Sequence, residues 1–479
     1  MKVMNKVFKN ICLAVGLITT VSSCGKYLDV KPETSVLEEE AFKSAAGFQT
    51  ALNGVYLQLS SYDMYGGKMH MAFPELLGQR YYQTSSSSYY SIASLNYAEK
   101  KTKDMAADYW NNNYKLIANL NNILDHLPGR KNLFAENDYN TIFGEVLALR
   151  TFLHFDLLRV FGPVFNTSDS VKSYIPYYSW RSAEARPYLP ANQITDSLQG
   201  DITAALKYLK SDNIIKGAAS PTDLGFPLRK TRFNYYAAKA LQARMLLYRN
   251  DKAGAFEAAK EVINIQPTLF PFSGKNAADV QNDPSLLGDC LTYLENTKLP
   301  VSYDNLFVYT LDASALLAPR QEVLAVIYPE TGDARMQTAV WRPASDGSKS
   351  VCFYKYAPIY RQSGSVKYQV NIGVPLIRAS ECYLIAAEAD PDPLDAVKYL
   401  DVVRVARNIL PTLANATLRT ELTKEYRREF FGEGQMFFYY KRINSATMPN
   451  SSSTSTTATI SMNSTKYIVP IPDDEQLAH

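Results

Sequence analysis

Residues 231–265 read TRFNYYAAKALQARMLLYRNDKAGAFEAAKEVINI, and the fold is decided here. Two runs of helical apolar spacing, 231–250 and 252–265, flank the short turn Asn250-Asp251. Ala237, Ala238, Ala240 and Ala243 put small residues on the first run, and Ala255, Ala258 and Ala259 put them on the second. Small side chains let two antiparallel helices approach closely, so the stretch predicts a helical hairpin held by backbone proximity.

The same pattern extends in both directions. Glu38-Glu39-Glu40 places negative charge at a helix start, followed at helical spacing by Phe42, Phe48, Leu52, Val55, Tyr56 and Leu59, with an end near Ser60. A second helix is expected over 104–127, with Trp110, Tyr114, Ile117, Leu120 and Leu124 on one stripe and Pro128-Gly129 as its stop. Further helices are expected over 138–161, ending at Gly162-Pro163, and over 193–209. A last pair spans 377–389 and 393–408, with one more helix at 420–433. The predicted class is mainly α: four tetratricopeptide-like helix pairs form a scaffold, interrupted by long irregular insertions carrying short strands. The insertions lie at about 66–103, 172–191 and 267–372, are rich in Tyr, Ser, Pro and Gly, and include strand-like runs at 322–328 and 351–356. Loops of such length inside a packed chain are usually functional. The Ser/Thr-rich stretch 450–459 predicts a flexible surface loop.

The N-terminus carries a different signal. Lys2, Lys6 and Lys9 precede the apolar run Ile11 to Val21, which is too short to span a bilayer and suits a secretory segment. Val21-Ser22-Ser23-Cys24 resembles a bacterial lipobox, so residues 1–23 are expected to leave as a lipoprotein signal peptide, with Cys24 acylated. Residues 24–37 then form a tether, and 38–479 a single body. Without the three leader lysines, 47 Lys and Arg balance 47 Asp and Glu, and no basic stripe stands out, which argues against nucleic-acid binding. Once Cys12 and Cys24 are set aside, Cys290, Cys352 and Cys382 remain. An odd number with no paired framework means that the fold rests on its own core.

Catalytic and metal patterns are missing from the sequence. The four histidines, His70, His126, His154 and His479, show no zinc spacing, and there is no Cys-x2-Cys, no phosphate loop and no nucleophile elbow, so neither metal nor cofactor is expected. Glu381 and Glu388, seven apart on one helix face with Arg378, read as a structural polar stripe.

Ordered phrases along the chain resemble the SusD/RagB family of surface nutrient-binding lipoproteins. They are Tyr27 to Pro32 after Cys24, Ala51-Leu52-Asn53-Gly54-Val55-Tyr56, and Trp110 with Tyr114, Ile117 and Asn121. Next come Gly144-Glu145 with Leu149-Arg150, Asp156 to Pro163, and Ala237 to Leu241 with Ala243-Arg244. Pro375 to Arg378 with Glu381, Ala387-Glu388-Ala389, and Ile468 to Pro472 with Glu475 complete the series. Residues 425–442 depart from the family pattern: Tyr426, Met436 and Tyr439 stand where Arg, Arg and Asp are common, so a charge pair is expected to have been exchanged for packing.

The resemblance implies a non-catalytic protein, anchored by lipid in the outer membrane and facing the cell surface. It would cap a SusC-like TonB-dependent outer-membrane barrel and pass it oligosaccharides. Peptide capture by a RagB-like member is the alternative, and an anchored hydrolase the third reading. The 34 tyrosines suit the first, since a flat π face stacks on the C–H face of a sugar ring while its hydroxyls stay free to bond. Tyr81, Tyr82, Tyr89 and Tyr90 in the first insertion, Trp180 in the second, and Tyr303 and Trp341 in the third are the expected ligand-binding residues. They are expected to converge on one concave face.

Overall fold

Asn234 accepts a hydrogen bond from the Ala237 amide and Asp251 one from the Gly254 amide, capping the two helices of the deciding stretch, α5 (Tyr235–Tyr248) and α6 (Lys252–Leu269). Between them Asn250 takes a left-handed backbone with φ 64°, a conformation that Asn tolerates, and this folds one helix back on the other. The alanines facing each other across the pair are buried.

This computed structural model describes residues 38–478, apart from 136, 183, 218–224, 345–349, 364 and 413–416. The expected signal peptide, Cys24 and the tether lie outside the described residues. The chain divides at Thr50 into two units. In the first, a helical turn at 38–41 leads to Phe42, whose ring lies 4.8 Å from Phe48. Helix α1 (Ala45–Leu59) runs on into the second unit.

The second unit is a succession of helices, each packed on the one before it: α2 (Lys100–His126), α3 (Asp138–Phe161), α4 (Ala191–Leu209), α5, α6, α7 (Ala379–Ala389) and α8 (Pro393–Ala406). The expected pairing of helices therefore holds for α3 with α4, α5 with α6, and α7 with α8. Close approach is built into the sequence at Gly144 on α3. A Cβ there would stand 2.7 Å from Leu209 Cγ and 2.8 Å from the Ala205 carbonyl oxygen, both on α4. No described helix is long and apolar enough to cross a membrane.

Short antiparallel strand pairs punctuate this frame. β1 (Ser173–Pro176) pairs with β2 (Tyr188–Pro190) in the second insertion. β3 (Cys290–Glu295) pairs with β8 (Gly373–Arg378), closing the third insertion at its base. Within it, β4 (Trp341–Pro343) pairs with β5 (Val351–Phe353), and β6 (Tyr360–Ser363) with β7 (Val366–Gln369). The expected run 322–328 is instead a helix, Gln321–Ile327: Leu324, Ile327 and Tyr328 are buried while Val326 is exposed, which is helical rather than alternating spacing. The stretch 450–459 is not a free loop. It closes a hairpin of β9 (Thr447–Pro449) and β10 (Thr459–Ser461), where buried Ser451 donates its amide and hydroxyl to Gln79 Oε1 at 3.1 and 3.0 Å.

The last expected helix, 420–433, is followed by another that was not expected. α9 (Leu418–Glu429) ends in a turn with Gly432 and Gly434 both at positive φ, and α10 (Met436–Arg442) follows. Here the departure from the family pattern finds its explanation. The rings of Tyr426 and Tyr439 stack at 4.3 Å and 26°, filling with aromatic area the place of a charge pair. Glu381 and Glu388 are structural as expected, held by Arg244 and Arg442 in two-pronged ion pairs at 2.6–2.8 Å.

A buried charge network joins the third insertion to α8 and α9. Arg335 pairs with Asp333, Glu425 and Glu429, and Arg378 with Glu429 and Glu433. Arg407 pairs with Asp289 and Glu429, and Lys355 with Glu433. Burial alone would push the Glu429 carboxyl up, but Arg378, Arg407 and Arg335 outweigh it and hold the group well below the usual carboxylate range.

Candidate functional site

Alternation along β4 and β5 sorts the aromatic residues of the third insertion. Trp341 is opposite Phe353 and turns inward, at 4% exposure. Its indole N–H donates to the Arg335 carbonyl at 3.1 Å, and its ring lies 4.8 Å from both Phe353 and Phe431. Arg342, next in line, is exposed, and its guanidinium sits 4.2 Å from the ring centre of half-buried Tyr354.

Trp341 is therefore core, which corrects the expectation that it offers a ligand platform. Tyr81 is also core. Its ring lies 6.1 Å from Phe307 and 5.9 Å from Phe431, its hydroxyl donates to the Met71 carbonyl at 3.0 Å, and none of it reaches solvent. Tyr303 is buried as well, with its ring 5.8 Å from Tyr354. A ring enclosed on all sides has no face left for a ligand.

The other expected residues are accessible but dispersed. Tyr82 is half-buried beneath the guanidinium of Arg320 at 5.1 Å. Tyr89 and Tyr90 are half-buried at a single helical turn, with Lys101 Nζ 5.1 Å from the Tyr89 ring centre. Trp180 is 51% exposed.

A seam brings the first and third insertions together. The Tyr82 amide donates to the Ala318 carbonyl at 2.9 Å and the Ser88 amide to the Ser314 carbonyl at 2.8 Å, while the Val351 amide donates to Pro319 at 3.0 Å. Beneath the seam Leu316, Ala318 and Cys352 form a buried cluster, with Leu311, Ala344 and Tyr354 packed against it. On this base stand two tyrosine–arginine pairs, Tyr82 with Arg320 and Tyr354 with Arg342, from different insertions. Half-exposed phenol rings beside guanidinium groups give a shelf with π faces and hydrogen-bond donors. Arg320, Arg342 and Tyr354 were not among the residues expected to bind. Alternation in Trp341-Arg342 and Phe353-Tyr354 was the available signal.

The second insertion lies elsewhere. Its irregular stretch 177–181, after β1, docks on α2 and α3: the Tyr178 amide donates to His154 Nε2 at 3.1 Å, and Asn121 Nδ2 donates to the Tyr178 carbonyl at 3.0 Å. Burial lowers the pKa of His154 to about 3, so it stays neutral, and Nδ1 is left to donate to the Arg150 carbonyl at 3.1 Å. Trp180 borders a cavity of about 340 Å³ shared with Trp110, Tyr114 and Tyr178. Arg181 bonds Asn122 near the end of α2, whereas Tyr89 lies over Lys101 near its start. Twenty-one helical residues separate those two contacts, about 30 Å at 1.5 Å per residue. The expected convergence of all three insertions on one face is thus replaced by two places. Among the described residues no group of three or more His, Cys, Asp or Glu side chains is arranged to hold a metal ion.

Residues 26–247 match a family profile described as SusD-like, starch-binding associating with outer membrane, and residues 331–475 match the profile of the SusD family. Among curated proteins, SusD-like protein P2 of Formosa agariphila is 22% identical over 253 residues, covering 52% of this chain and 45% of that protein. SusD-like protein P38 of the same organism is 25% identical over 211 residues, covering 43% and 38%. The chain spans less than half the length of these curated relatives. Among solved structures, a putative sugar binding protein from Bacteroides vulgatus superposes with TM-score 0.70 at 20% identity, over 91% of this chain and 97% of that one. Surface glycan-binding protein A from Bacteroides uniformis superposes with TM-score 0.67 at 19% identity, over 91% and 98%. At such identities the likeness is one of fold.

Proposed function

The chain belongs to the SusD/RagB family, and on that premise we propose that it is a non-catalytic, cell-surface glycan-binding lipoprotein that captures oligosaccharides and hands them to a SusC-like TonB-dependent barrel. Its place is the outer membrane, held by acylated Cys24 and turned outward. The observation that carries this reading is the shelf at the seam, where Tyr82 with Arg320 and Tyr354 with Arg342 stand half-exposed on one buried cluster.

A sugar ring laid on a phenol face buries its C–H surface against π density, and its hydroxyls remain free to accept from the two guanidinium groups. No bond of the ligand is made or broken, so capture is reversible and the ligand leaves unchanged for the transporter. Rigid support suits this role, because a platform already ordered before binding loses little conformational entropy when ligand arrives. The buried ion pairs of Arg335, Arg378 and Arg407 supply that support from below.

Migration of the purified protein through gels containing soluble polysaccharides, run beside a peptide-capture assay and chromatography of the incubated glycan, tests this reading. Retardation by a glycan with no new saccharide products is expected. Peptide capture without retardation, or release of products, would overturn it.

A further inference from the structure

We infer that the Trp180 cavity is a second glycan station, remote from the shelf, that takes the end of a neutral sugar chain. The inference rests on the glycan-binding reading for its ligand class, and on its own geometry for everything else.

The cavity, at about 340 Å³, falls within the range of small-molecule sites. Its apolar wall is aromatic, drawn from Trp110, Tyr114, Tyr178 and Trp180. The Arg186 guanidinium covers one face of the Trp180 ring at 3.4 Å and takes no part in lining the cavity, which leaves the second face as the free π surface. Trp180 is the one exposed tryptophan of the three, since Trp110 and Trp341 are both buried.

Polar groups converge on the same space. Glu184 and Glu475 bring carboxylates from two distant parts of the chain, and Asn111, Arg181 and Ser182 complete the rim. Neither carboxylate is spent on an ion pair among the described residues. Both can accept from vicinal hydroxyls while a ring lies on the indole. The lining sets the two carboxylates of Glu184 and Glu475 against the single guanidinium of Arg181, so the site has no positive excess to attract a uronate or sulfate. A neutral polyol leaves none of these groups unanswered.

The loop is built before ligand arrives. Tyr178 is fixed by His154 and Asn121, the Ser179 carbonyl accepts from Arg150 at 2.6 Å, and the Tyr177 hydroxyl donates to Asp201 at 2.6 Å. The shelf's seam ends at Ser88, beside Tyr89, which packs on Lys101 in the first turn of α2, while this cavity runs along the same helix from Trp110 to Asn121. Two stations that share no residue could hold one chain at two points, which raises avidity for long glycans over short ones.

Acrylamide quenching tests the inference, because the quencher reaches exposed Trp180 while Trp110 and Trp341 are shielded. The probes are maltotriose, cellotriose, xylotriose and mannotriose, with trigalacturonate as the anionic counterpart, and calorimetry is run in parallel. At least one neutral trisaccharide is expected to lower quenching, in wild type and equally in the Tyr82→Ala/Tyr354→Ala double variant, while trigalacturonate does not. Trp180→Ala is expected to weaken calorimetric binding of that sugar at this station about tenfold with an unchanged melting curve. Calorimetric binding with unchanged quenching would overturn the second station and leave the shelf standing. Loss of protection in the double variant would reduce the two stations to one. Equal protection by trigalacturonate would overturn neutrality, and no binding of any sugar in either assay would bring down this inference together with the glycan reading.

Discussion

The guanidinium of Arg407 lies 2.9 Å from the carboxylate of Asp289, and through this contact the C-terminal end of α8 holds the base of the third insertion. Glu429 of α9 binds the same guanidinium at 2.6 Å. Both partners are fully buried, so the insertion that carries half of the shelf is fixed to the helical frame by charge as well as by the apolar packing of Trp341 and Phe353 on Phe431. Removing one member of such a cluster strands the others in a medium of low dielectric constant.

Glu429→Gln is accordingly expected to destabilise the protein by about 3–5 kcal/mol, since Arg335, Arg378 and Arg407 lose their shared anion. Urea unfolding at neutral pH measures it. The pH dependence follows from the sign of the shift. Because the folded-state pKa of Glu429 is depressed, its stabilisation is fully present above the unfolded value of about 4.3, and is lost as pH falls below it toward the folded value. Wild-type melting temperature should drop in that acid window, and the variant's should drop less. Parallel acid profiles would remove Glu429 from the role given to it.

Gly144→Ala is expected to cost about 1–3 kcal/mol, because the new methyl meets a backbone carbonyl of α4 that cannot move without parting the two helices. Gly54→Ala is the control: nothing stands within 4 Å of its Cβ position, and it lies on a helix, where alanine is the better former. Thermal melts of the two variants should move in opposite directions.

Trp341→Ala and Tyr81→Ala should each lower stability by about 3–5 kcal/mol, as large aromatic deletions from a core do. Any loss of ligand binding in them would track unfolding. Tyr82→Ala is expected to stay within about 1 kcal/mol of wild type, since its ring is half in solvent. Chemical denaturation of the three separates core from shelf.

If acylated Cys24 is the anchor, as proposed, Cys24→Ser should release the protein from the membrane fraction, since no described helix is long and apolar enough to cross a membrane. Fractionation of expressing cells reads this directly. Continued sedimentation of the variant with membranes would contradict lipid anchoring.

The helical frame was legible because its signals are local: apolar spacing, caps such as Asn234 and Asp251, and stops such as Gly162-Pro163 act within a few residues. α10 escaped notice because Met436 to Lys441 are buried almost all round, which leaves no amphipathic contrast to read. The site was less legible for a related reason. Tyr81 and Tyr82 are neighbours in sequence, yet one is enclosed by Phe307 and Phe431 while the other lies under Arg320. Residues more than two hundred positions away decide which of them meets solvent. An excess of tyrosine in insertions could therefore point to aromatic chemistry without saying which rings face outward.

Isothermal titration of wild type and of the Tyr82→Ala/Tyr354→Ala variant with oligosaccharides retained in the gel assay tests the central claim most directly. The account predicts that binding at the shelf weakens by at least about tenfold, about 1.4 kcal/mol, while the melting temperature is unchanged. Full affinity and stoichiometry in the double variant would show that glycan is gripped somewhere other than the tyrosine–arginine shelf.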